Sequence, residues 1–261
     1  MKATLITGAS SGIGEAFARR LAAEKHNLVL VARSEERLRQ ICDELIAKHE
    51  IEASFISADL TEAGADQFVF QRTEDLGFEI DWLINNAGIG SMGDFVELDL
   101  GRELRMIDLN ISALVGLTHR YLPEMRKRRQ GAIINVSSAA GFQPIPFMAT
   151  YAATKAFVTS FSEAIAAENR PFGIRILALC PGRTETNFHA NANIDQQINA
   201  KGIETAEDVV ETAMKAIGTD RAKVVSGWTN WLVASGVNVL PNSFITRMMA
   251  RSLRGAFQKD Q

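Results

Sequence analysis

The stretch Thr7-Gly8-Ala9-Ser10-Ser11-Gly12-Ile13-Gly14 follows directly on a short apolar run, residues 3–7, and leads into apolar residues at helical spacing: Ile13, Phe17 and Leu21. Its three glycines, spaced Gly-x3-Gly-x-Gly, sit where a chain reverses sharply between strand and helix. There a phosphate can approach bare backbone N–H groups at a helix N-terminus. Strand, glycine turn and helix in this order open a dinucleotide-binding unit. Working outward, further strand candidates fall at 27–32, 53–57, 82–85, 132–137, 174–179 and 223–225. Between them lie helix faces such as Leu38, Ile41 and Leu45. Several of the strands are apolar on both faces and need helices above and below.

This alternation predicts an α/β fold, a doubly wound parallel sheet of about seven strands of Rossmann type. A chain of 261 residues with 46% hydrophobic and 23% charged side chains suffices for one sizeable core. The expected division is a Rossmann domain over 1–227 and a C-terminal apolar and basic tail over 228–261. A net charge of −3 argues against a protein that lives on nucleic acid. Cys42 and Cys180 form no CxxC pair and are expected as buried thiols in a reducing compartment. The N-terminus reaches its glycine turn too soon for a signal peptide, and no apolar run is long enough to span a bilayer, so a cytoplasmic protein is expected.

The second strand ends Ala32-Arg33-Ser34, where an NAD site would place an acid on the ribose 2′-hydroxyl. Arginine there suits a 2′-phosphate, which points to NADP(H) over NAD(H). Further on, Tyr151 and Lys155 are one helical turn apart, which puts phenol and ammonium on one face. A nearby cation is expected to favour phenolate, making Tyr151 a general acid/base. Ser138, at the carboxyl edge of the sheet, can hold a carbonyl oxygen beside it.

His26, His49, His119 and His189 fall in no ligand spacing, and no metal site is expected. The run Arg126-Lys127-Arg128-Arg129 follows a helical stretch and is read as a solvated helix end. Residues 186–202, rich in Asn, Ala and Gln, are expected as a mobile lid. In the tail, Phe244, Ile245 and Met248 are expected on an apolar side, with Arg247, Arg251 and Arg254 as a basic stripe. Its target is left open between its own domain or a neighbouring subunit, a membrane surface, and an acidic substrate carrier.

Taken together, the glycine turn, Asn85-Asn86-Ala87-Gly88, Asn110, Ser138, the Tyr151/Lys155 pair, Pro181-Gly182 and Thr186 stand in the order of the short-chain dehydrogenase/reductase family, which the chain resembles from Lys2 to about Gly227. The segments 28–33 and 142–144 are similar to bacterial DltE-type reductases and, more distantly, to ketoacyl and hydroxysteroid reductases. The resemblance implies a catalytic tetrad of Asn110, Ser138, Tyr151 and Lys155, with Asn110 positioning water. It implies cofactor contacts from Gly8, Ser10, Ser11, Gly12, Ile13 and Gly14, from Arg33 and Ser34, and from Asp59 and Leu60 at the adenine. Asn86, Ala87 and Gly88 are implied near the ribose, beside Tyr151 and Lys155, and Pro181, Gly182, Thr184 and Thr186 at the nicotinamide.

The implied activity is NADPH-dependent reduction of a small hydrophobic ketone or aldehyde, reversible as alcohol oxidation. The pocket is expected from residues 90–95, 140–148, the lid and the tail. A homodimer or homotetramer is expected through the helix of Tyr151, where Ala152, Ala156, Ser160 and Ala164 are small. Two alternatives are a non-catalytic NADP-binding sensor or scaffold and a peripheral membrane reductase of lipid substrates with the tail on the surface.

Overall fold

The computed structural model describes residues 1–186, 203–228, 230–231 and 242–257. The expected lid from residue 187 on, with His189, lies outside the described residues. Seven strands form one parallel sheet: β1 (Lys2–Thr7), β2 (Leu28–Ala32), β3 (Ala53–Ser57), β4 (Glu79–Asn85), β5 (Gly131–Val136), β6 (Ile174–Cys180) and β7 (Lys223–Val225). Their order is β3-β2-β1-β4-β5-β6-β7, so the direction of winding reverses between β1 and β4. Doubly wound sheets hold their ligands at such a reversal, outside the carboxyl ends of the strands.

The intervening helices are α1 (Gly12–Ala23), α2 (Glu35–His49), α3 (Ala65–Asp75), α4 (Leu100–Ile107), α5 (Leu114–Arg128), α6 (Ala149–Asn169), α7 (Ala206–Ile217) and α8 (Asn242–Phe257). Strand side chains alternate between two cores. Ile6, Leu28 and Leu30 meet Phe17 and Leu21 of α1, Leu38, Ile41 and Leu45 of α2, and Val209 of α7. Leu5, Val29 and Val31 lie in the other core with Val69 of α3 and Leu117 and Tyr121 of α5, against which Ile165 of α6 packs. Both faces of the sheet are thus covered, as the doubly apolar strands require.

Strand β4 begins earlier than its apolar run suggests. Glu79 and Asp81 interrupt the sequence pattern, yet Lys2 pairs with Glu79 and Ala3 with Ile80, while Arg128 reaches the Glu79 carboxylate at 3.3 Å. A single wide π turn, Asp108–Ala113, joins α4 to α5 and carries Asn110. The basic run at the end of α5 is occupied by the protein itself: Arg126 lies over the Phe172 ring, Arg128 donates to Ile80 O, and Arg129 donates to Pro171 O. Cys42 and Cys180 are buried, free thiols.

Candidate active site

The glycine turn takes its shape from positive φ at Gly8 (64°) and Gly12 (56°), which side-chain-bearing residues adopt at a cost. A Cβ on Gly14 would stand 2.3 Å from the Gly8 carbonyl oxygen, so α1 can approach the turn this closely only with glycine there. The turn is latched to the end of β4. Thr7 Oγ1 accepts from the Asn86 and Ala87 amides at 3.0 Å each, and Asn86 Nδ2 donates to Thr7 O and Gly8 O at 2.9 and 3.2 Å. Ser11 caps α1 in extended conformation without a side-chain capping bond. A helix N-terminus whose amides are not capped in this way is a ready anion site.

From this turn a cleft of about 750 Å³ runs along the carboxyl edge of the sheet to Ser138 and Tyr151. It is lined by every expected site residue except Gly14 and Asn110, which lie behind it. The bare glycine cradle, the N-terminus of α1 and the cleft volume fit a dinucleotide with room for a small substrate.

At one rim, Arg33 is 77% exposed and its Nη1 lies 3.9 Å from Asp59 Oδ2. The Asp59 carboxyl is held below its usual range, first by the Thr61 amide, then by the Thr61 hydroxyl, Arg33 and Arg105. Arg105, on α4, also borders the cleft. It escaped the sequence reading because it stands outside any motif and meets the end of β3 only through the fold.

At the other end, Ser138 Oγ accepts from the Ala140 amide at 3.1 Å, and the Ser138 and Tyr151 hydroxyls share a hydrogen bond. Lys155 Nζ donates to Val136 O at 2.9 Å and lies 5.8 Å from the centre of the Tyr151 ring. The expected preference for phenolate is corrected here. Burial pushes the Tyr151 phenol up to about 12, against the pull of Ser138, and pushes the Lys155 ammonium down to about 8.

Asn110, implied to position water, lies behind the residues that line the cleft. Its Oδ1 accepts from the Ile89 amide, and its Nδ2 donates to Ile89 O and Thr154 Oγ1, all at 3.0 Å. Thr154 in turn donates to Tyr151 O at 2.8 Å. The side chain therefore ties the loop after β4 to the helical turn that bears Tyr151.

The loops after β5 and β6 meet where the Ala139 amide donates to Pro181 O at 2.8 Å. Glu204 braces the far side. Its carboxylate accepts from Ser226 Oγ at 2.7 Å and from Asn230 Nδ2 at 3.2 Å, and its backbone pairs with Arg183 and Glu185. Asn230, missed from sequence, lines the cleft against Gly182.

The tail helix α8 closes the same end, with Met249 and Leu253 in the cleft wall, Ile245 buried and Gln143 Nε2 3.5 Å from Met249 Sδ. The expected apolar side of Phe244, Ile245 and Met248 is thus corrected: Phe244 and Met248 face outward beside the arginines. Among the described residues, no three His, Cys, Asp or Glu side chains converge as a metal site, and no helix is long and apolar enough to cross a membrane.

The family profile described as short chain dehydrogenase matches residues 2–197. The ketoacyl reductase HetN of Nostoc sp. is 33% identical over 227 residues, covering 86% of this chain and 78% of that one. A solved structure from work on 7beta-hydroxysteroid dehydrogenase stereoselectivity is similar with a TM-score of 0.86 at 26% identity, covering 95% of this chain and 96% of that one. A short-chain dehydrogenase from Sphingobium yanoikuyae in complex with NADPH has a TM-score of 0.80 at 32% identity, covering 100% of this chain and 98% of that one.

Proposed function

Because this chain belongs to the short-chain dehydrogenase family, we propose that it is an NADPH-dependent reductase of apolar ketones or aldehydes, running in reverse as an alcohol dehydrogenase. The observation that carries this reading is the convergence of Ser138, Tyr151 and Lys155 at one end of a cleft whose other end is the glycine turn with Arg33.

Bound NADPH supplies the hydride that reduces the carbonyl carbon. The glycine turn and the N-terminus of α1 would hold its diphosphate, and Arg33 its 2′-phosphate, with Arg105 adding positive potential at the same rim. Ser138, whose oxygen accepts from Ala140, turns its proton from the Tyr151 hydroxyl to the substrate oxygen. Tyr151, a phenol that is protonated at neutral pH and that burial pushes further up, delivers its proton as negative charge develops on that oxygen. Lys155 offers its ammonium to the ribose hydroxyls and is held toward them by Val136 O. Asn110 is a positioning residue, acting through Ile89 and Thr154.

Met92, Ile145, Met148, Met249 and Leu253 give the substrate end an apolar wall, which suits a hydrophobic carbonyl compound. The relatives named for ketoacyl and hydroxysteroid substrates, and the NADPH complex of a similar fold, support this choice of substrate class and cofactor. We assign the assembly to a homodimer or homotetramer through α6, whose exposed face carries Ala153, Ala156, Phe157, Ser160 and Ala164. Ala152 is buried and belongs to the opposite face.

A screen of aliphatic, aromatic and alicyclic ketones with NADPH, read by loss of its ultraviolet absorbance, tests the reading. Turnover of an apolar ketone is expected. Tight NADPH binding without turnover across the panel would replace the enzyme by a sensor.

A further inference from the structure

Helix α8 has two faces with different tasks. Ile245, Met249 and Leu253, four residues apart, share the side turned to the protein, and two of them wall the cleft. On the opposite side Phe244 is 58% and Met248 55% exposed, next to the exposed Arg247, Arg251 and Arg254. The helix holds three arginines and no acid in a chain of net charge −3. Two further exposed apolar side chains flank the cleft-lining Asn230 in sequence: Trp228 is 75% and Trp231 56% exposed. Exposed apolar side chains interleaved with cations along a helix that carries no acid are the pattern of a segment that lies in a lipid interface, and tryptophan favours that depth.

We propose that the outer face of α8, with Trp228 and Trp231, docks on an anionic lipid surface. Charge complementarity selects this occupant: the arginines meet lipid phosphates while Phe244, Met248 and the two indoles enter the acyl boundary. A partner that was merely acidic would satisfy the arginines and leave the apolar side chains in water. Resting on the reductase reading, the docked cleft takes its carbonyl substrate from the bilayer, since α8 separates the pocket from the lipid by one helix. The substrate class is then a membrane-dissolved ketone with an apolar body.

The test is partition of the full chain onto vesicles of phosphatidylglycerol and phosphatidylcholine in equal parts, against vesicles of phosphatidylcholine alone. Binding is expected on the first and to fall at least tenfold on the second or in about 1 M salt, where the Debye length is about 3 Å. Each arginine near the surface is worth roughly a fivefold change in partition. Arg247→Gln, Arg251→Gln and Arg254→Gln together therefore cost about a hundredfold. Phe244→Ser with Met248→Ser costs about tenfold or more. Both variants are expected to retain the unfolding midpoint and NADPH binding.

Absence of binding to the anionic vesicles overturns the proposal, as does undiminished binding of the arginine variant. A fall in solution mass of the Phe244/Met248 variant without any vesicle binding assigns the face to a second copy and also overturns it. Partition needs no turnover, so its failure leaves the reductase reading standing, whereas failure of the ketone screen leaves the docking intact.

Discussion

Lys155 combines a charge with almost complete burial, and its hydrogen bond to Val136 O only partly offsets that. Its displacement from 10.5 to about 8 is worth at most about 3.5 kcal/mol. The folded chain releases this proton near pH 8, whereas the unfolded chain holds it until about pH 10.4. The penalty is therefore complete below pH 8 and fades as pH rises toward the unfolded value. Lys155→Met is expected to raise Tm near neutral pH and to lose this advantage at about pH 10, while abolishing reduction. Calorimetry across that range checks it, and a constant gap between the two proteins would contradict the burial of the charge. Tyr151→Phe keeps fold and NADPH binding and lowers turnover on the order of a thousandfold, several kcal/mol of barrier. A folded variant with a tenth of the activity would remove Tyr151 from the proton's path. At the rim, an Arg33 pair with a 2′-phosphate is worth about 1.5–3 kcal/mol, so Ala32→Asp with Arg33→Ala is expected to turn a preference for NADPH into one for NADH. Binding of each dinucleotide by calorimetry reads it directly. Tyr151, Lys155, Ser138 and Arg33 were legible because their pattern is local: one helical turn, or one strand end. Arg105, Asn230 and the hydrogen bonds of Asn110 were not, since each depends on a segment distant in the chain.

Among the elements, the strands were legible nearly to their ends because apolar residues on both faces leave little choice of environment, and β4 was shortened only where Glu79 and Asp81 masked it. Helix α8 was legible as amphipathic but not in its phase. Phe244, Ile245 and Met248 are near neighbours on a helical wheel, and only the cleft decides that Ile245, Met249 and Leu253 turn inward. Two glycines separate conformational from steric demand. Gly77 has φ 73° and open space around it, so Gly77→Ala is expected to cost about 1–2 kcal/mol through backbone strain alone. Gly14→Ala drives a methyl group into the Gly8 carbonyl and is expected to cost about 3 kcal/mol or more and to abolish dinucleotide binding. Denaturant midpoints of the two variants, with NADPH titration, give the comparison; equal losses would show that the turn yields to α1.

For the molecule as a whole, alternation of strands and helices was enough to imply the sheet, while the strand order came only with the structure, because sequence spacing does not say which strand β1 pairs with on its second edge. Assembly is testable at this scale. Phe157 stacks on Phe161 with 5.8 Å between ring centres on the exposed side of α6, so Phe157→Arg is expected to halve the solution mass by light scattering, a dimer falling to a single 28.6 kDa chain and a tetramer to a dimer. An unchanged assembly would move the interface elsewhere. The central place of β1 also bears on synthesis. Strand β1 is fully paired only when β4 has followed it in synthesis, because its two neighbours are β2 and β4. The Thr7 and Asn86 latch spans 79 positions, so the glycine turn is translated early and braced late. A nascent chain that ends before Asn86 carries the whole phosphate motif yet lacks the groups that hold its shape, and is expected to bind the dinucleotide only once β4 is in place.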